Sequence, residues 1–104
     1  MTDQELADKV IAVKVGYQGT YPLSKDGVGF YHEPDEGQGM CAEYFVRDWR
    51  VAGRMMEKTL SVEFITVSRT GEFSAVARAS KTADAVDESL PRAIIEACVE
   101  ALND

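Results

Sequence analysis

"DESLPRAIIEACVEAL", residues 87–102, is the stretch on which the fold turns. Ser89 stands where a helix N-cap belongs, and Pro91 falls in the first turn, where a missing amide donor costs nothing. Leu90, Ile94, Ala97, Cys98, Ala101 and Leu102 follow every three or four positions, the spacing of one apolar helix stripe. Arg92, Glu96 and Glu100 lie between them and are expected to point outward. Each polar residue then has a capping or solvating role, so the segment reads as scaffold.

A stripe this rich in small residues needs a flat partner that can approach closely, and the preceding segment offers one. Leu60-Ser61-Val62-Glu63-Phe64-Ile65-Thr66-Val67 alternates with Leu60, Val62 and Phe64 on one side. Arg69-Thr70-Gly71-Glu72 reads as a turn, and Phe73 to Ala79 as the returning strand. Phe73, Ala75, Ala77 and Ala79 share a face of that strand, and the alanines leave room for the closing helix.

Before the hairpin, Asp48 caps a second helix running to about Lys58. Its expected stripe is Trp49, Ala52 and Met56, with Met55 on the adjacent row and Arg50, Arg54 and Glu57 outside. Gly53 costs about 1 kcal/mol against Ala in such a helix, which close packing on a sheet would explain. The two stripes are expected to cover a sheet and to leave no organised polar pocket.

At the N-terminus, Thr2-Asp3-Gln4-Glu5 is a capping box that opens a short helix with Leu6, Ala7 and Val10 on one side. The odd positions of Ile11-Ala12-Val13-Lys14-Val15 are β-branched, which predicts a strand. Gly16 to Gly39 holds six of the eight glycines and two of the three prolines. A strand is expected near Val28-Gly29-Phe30-Tyr31, reached through turns at Tyr21-Pro22 and Lys25-Asp26-Gly27. Glu33 to Gly39 reads as an exposed loop.

The 104 residues suit one domain, 1–104, large enough for a core without metal or disulfide staples. The acidic, polar start lacks the basic and then apolar pattern of a signal peptide, which places the protein in a cytoplasm. No apolar run has the length of a membrane span. Cys98 falls in the closing stripe as a small core residue, and a reducing compartment disfavours its pairing with Cys41. A net charge of −7 disfavours contact with a nucleic-acid backbone. The acids Asp84, Asp87, Glu88, Glu96, Glu100 and Asp104 face one base, Arg92, whereas Arg47, Arg50, Arg54 and Lys58 dominate residues 47–58. Both runs read as solvated helix faces.

With these elements in order, the chain resembles the phage ABA-sandwich domain, a family of small tailed-phage proteins. The resemblance rests on Leu6-Ala7-Asp8-Lys9-Val10, on "RDWRVAGRMMEKT" (residues 47–59), on the strand pair, and on "SLPRAIIEACVEAL" (residues 89–102). It covers most of the chain outside Gly16–Gly39. It implies a phage or prophage origin and a sheet packed with helices, and it transfers no activity and no site residue.

Chemical constellations are sparse. His32, beside Glu33 and nine residues before Cys41, has no third group to orient a nucleophile. Glu33, Asp35 and Glu36 lack EF-hand spacing, so no metal or other cofactor is expected. Gly27-Val28-Gly29 and Gly37-Gln38-Gly39 lack the following Lys-Ser/Thr of a phosphate loop. The candidate binding residues are Tyr31, His32, Glu33, Asp35 and Glu36. The expectation is an α+β domain: an antiparallel sheet of about four strands, two main packing helices and a short N-terminal helix. Its expected role is a non-catalytic phage or prophage accessory protein that binds a host or phage protein. The alternatives are a homo-oligomeric module joined at a sheet edge, and a small-molecule binder or minor enzyme using residues 30–41.

Overall fold

The computed structural model describes residues 1–20, 30–32, 39–67 and 71–103. Its elements are α1 (Asp3–Ala12), β1 (Gln18–Thr20), β2 (Phe30–His32), β3 (Met40–Cys41), α2 (Ala42–Phe45), α3 (Trp49–Lys58), β4 (Ser61–Val67), β5 (Glu72–Arg78), β6 (Thr82–Asp87) and α4 (Leu90–Leu102). The class is α+β with a short N-terminal helix, as expected. The described strands form two antiparallel three-stranded sheets, ordered β1-β2-β3 and β4-β5-β6, instead of a single sheet of about four strands. The strands that sequence reading missed are β1 and β3, only three and two residues long, and β6. The inward positions of β6 are Ala83 and Ala85, too weakly apolar to announce a strand beside the acidic positions 84 and 87.

The expected hairpin is present, with Val62 opposite Ala77 and Phe64 opposite Ala75. Ala75 and Ala77 are fully buried, and α4 lies across β5 and β6 where their small side chains admit it. Helix α3 packs on α4 away from the sheet, and α1 also leans against α4. Helix α4 is therefore the middle layer of a sandwich. Ala93, Ile94, Ile95, Ala97, Cys98, Val99 and Ala101 are all buried, which is more than one stripe. A helix enclosed on two sides reads as apolar on most of its circumference. Each of Ile94, Ile95 and Val99 contributes roughly 1.5–3 kcal/mol by leaving water.

Three expectations about α3 and the strand after it change. Asp48 does cap α3, its carboxylate accepting from the Arg50 amide at 2.7 Å. The buried residues are Val51, Ala52 and Met55, while Trp49 is 57% exposed. The seam is rotated from the expected one because its target is α4, reached through the Val51–Met55 row. A Cβ added to Gly53 would meet nothing within 4 Å, so close packing does not explain that glycine. Leu60, expected on the inner face with Val62, is 84% exposed, because it precedes the ladder and only its amide bonds to Arg78.

At the N-terminus the Thr2 hydroxyl accepts from the Glu5 amide at 3.1 Å, as the capping box requires. The strand expected at Ile11–Val15 is absent. The helix continues to Ala12 and closes with bonds from Val13 to Lys9 and from Lys14 to Ile11. Lys14 at φ 57° and Gly16 at φ 98° then turn the chain into β1. A Cβ at Gly16 would sit 2.7 Å from the tip of the flexible Arg54 side chain, which can move aside, so it is the positive φ that calls for glycine there. Strand β2 begins inside the expected stretch and pairs with both neighbours, Gln18 opposite His32 and Phe30 opposite Cys41. The turns expected at Tyr21-Pro22 and Lys25–Gly27, and the loop from Glu33 to Gln38, lie outside the described residues.

Candidate functional site

The residues singled out around position 31 separate. Tyr31 is fully buried, and its ring stacks on Phe45 with centroids 4.8 Å apart. Its hydroxyl donates to Asp8 at 2.8 Å and accepts from the Gln4 amide. Tyr17 meets Phe45 edge-on at 5.1 Å, so Phe45 of α2 joins the small sheet to the rest of the core. Tyr31 thus ties β2 to α1 from inside. His32 has its backbone paired with Gln18. Glu33, Asp35 and Glu36 lie outside the described residues. Cys41 is half-buried and Cys98 fully buried, and both are free thiols. Burial pushes the Cys98 thiol up to about 11, against a smaller opposing effect of a Thr59 hydrogen bond. At neutral pH it is a protonated core group.

The densest polar cluster surrounds Arg92, which was expected outside. Its side chain is only 8% exposed. It reaches Asp3 at 2.9 Å, Asp87 at 2.9 Å and Glu96 at 3.1 Å, and donates to the Met1 carbonyl at 2.8 Å. Arg47 binds the other oxygen of Asp3 at 2.9 Å and the Glu43 carbonyl at 2.8 Å. Burial disfavours the Arg92 charge, but the Asp3 hydrogen bond and the charges of Asp87 and Glu96 outweigh it and hold its pKa above the ordinary value. Partial burial likewise raises the Asp3 pKa, but hydrogen bonds from Arg47 and Arg92 outweigh it and hold the group below the usual carboxylate range. The planar guanidinium suits this work because its fixed fork serves several acceptors at once. The cluster ties the N-terminus, the start of α4 and the α2–α3 corner together. Its only sequence signal is the Arg92–Glu96 spacing of four, which surface helices share.

Beside this cluster the surface changes character. Tyr44 on α2 is 65% exposed, and Trp49 opens α3 a few residues later. A groove of about 650 Å³ at the same corner is lined by Gly39, Met40, Cys41, Tyr44, Arg47 and Asp48. Arg47 and Asp48 on its rim are already engaged, with Asp3 and with Arg50 at 3.2 Å. An apolar floor, two open aromatic rings and neutralised charges make a surface suited to contact and not to proton transfer. Elsewhere a crevice of about 400 Å³ lies among Lys9, Ala12, Val13, Lys58, Val99 and Leu102, and Lys9 bonds Glu100 there at 3.3 Å. Its lysines sit at the last turns of α1 and α3, where helix dipoles favour cations.

Among the described residues, no group of three or more His, Cys, Asp or Glu side chains is arranged to hold a metal ion. No described helix is long and apolar enough to cross a membrane. The chain matches no protein-family model, no curated protein and no solved structure.

Proposed function

We propose that this chain is a phage or prophage accessory domain that works in the host cytoplasm by binding another protein, without catalysis of its own. The α2–α3 corner carries the reading, because Tyr44 stands open in the groove and Trp49 is exposed at the start of α3, next in sequence to Asp48 of its lining. Aromatic side chains bury large area at small entropic cost and dominate binding energy at protein interfaces. The largest charged cluster supports the same view, since its members neutralise one another. The phage setting rests on the resemblance in element order and capping residues. The partner is a host or phage protein that offers apolar side chains to the corner.

The experiment is affinity capture from host and infected-cell extracts with wild type and with a Tyr44→Ser/Trp49→Ser double variant. A stoichiometric protein held by wild type and lost with the variant supports the reading. Purified, that protein should shift the fluorescence of Trp49, the single tryptophan, to shorter wavelength. Capture unchanged by the double variant, or none from any plausible host, overturns it.

A further inference from the structure

The larger sheet has two edges, and they are built differently. Strand β6 carries two aspartates in six residues, Asp84 exposed and Asp87 engaged by Arg92, with Lys81 just before it. Such charges are how natural sheets discourage pairing with foreign strands. Strand β4 is seven residues long and reads Ser-Val-Glu-Phe-Ile-Thr-Val, with Glu63 as its one ionisable residue and no Pro or Gly. Among the described residues it pairs only with β5. Helix α4 lies over β5 and β6 and touches β4 only at its margin. Leu60, the most exposed large hydrophobe among the described residues, stands just before this strand.

We propose that two copies of this chain associate through β4, antiparallel, to form one six-stranded sheet. An edge strand directs alternate N–H and C=O groups away from its neighbour, and a second β4 supplies the complementary row. The two-fold axis stands perpendicular to the sheet, so both α4 helices lie on one side. With Phe64 opposite its own copy, Ser61 faces Val67 and Glu63 faces Ile65 of the other chain, and no like charges stand directly opposed.

Sedimentation of the full chain over a range of concentrations tests this proposal. Wild type should sediment as a dimer, and Ser61→Lys/Glu63→Lys should raise the dimer Kd by roughly a hundredfold through repulsion across the seam. Both positions are exposed, so the monomer should keep its fold, with its circular dichroism unchanged. Asp84→Lys on the opposite edge should leave the dimer intact. Hydrogen exchange of the Ser61–Val67 amides should slow as concentration rises. Wild type that stays monomeric at the highest attainable concentration overturns the proposal. So does a dimer that survives the β4 lysines, or one that yields only to Tyr44→Ser/Trp49→Ser.

Discussion

Arg92 shows what one side chain decides in this molecule. It is a nearly buried cation that answers three carboxylates on three different parts of the chain. Removing one partner of a buried ion cluster strands the others, so Arg92→Ala should destabilise by about 2–4 kcal/mol in urea unfolding. Arg92→Lys should recover only part of that, because an ammonium cannot fork between acceptors. The cluster also sets the acid limb of stability. The folded Asp3 pKa lies below its ordinary value, so its contribution is whole above about pH 4 and fades as pH falls through the folded value. Asp3→Asn should be less stable than wild type at neutral pH and flatter below about pH 4. The cysteines give a second expectation at this scale. Cys41 should react with a thiol reagent in the native protein, and Cys98 only after unfolding. The core role of Cys98 was legible from its place in the stripe. The burial of Arg92 was not, because its partners Asp3 and Asp87 come from outside its helix.

Helix α3 carries the lesson at the scale of elements. Its extent was legible, since Asp48 caps it and the helix ends at Lys58 as expected. Its buried face was not, because both the Trp49–Ala52–Met56 and the Val51–Ala52–Met55 rows are apolar and periodicity alone cannot choose between them. What chooses is the neighbour, α4, which lies next to the Val51 row. Met55→Ala should therefore cost about 2–5 kcal/mol, whereas Trp49→Ala should change stability by no more than about 0.5 kcal/mol. Gly53→Ala should stabilise by about 0.5–1 kcal/mol, as the added methyl meets open space and restricts the unfolded chain. Thermal unfolding of the three variants side by side distinguishes these outcomes. The run Ile11–Val15 failed in a related way. Alternating β-branched residues are compatible with a strand, but the helix begun at Thr2 carries on to Ala12, and Lys14 then turns the chain.

For the molecule as a whole, the α+β class and the docking of α4 on the alanine face of β5 could be read from local patterns. The division into two sheets could not. It depends on β6, whose alanines are weakly apolar, and on strands β1 to β3, which are only two or three residues long. The candidate site was less legible than the fold. Tyr31 proved to be an internal strut, and the open aromatic corner arose from the rotation of α3 and the one-turn helix α2. Both outcomes follow from α4 lying in the middle. It takes the apolar faces of α1, α3 and the larger sheet, and the contact surface falls to the periphery. Native-state hydrogen exchange tests that arrangement most directly. The amides of Ile94 to Val99 should be among the slowest in the protein, together with those of Ala75 to Ala77, and should open only in global unfolding. Exchange of α4 through a local opening, while β4 to β6 stay protected, would contradict it.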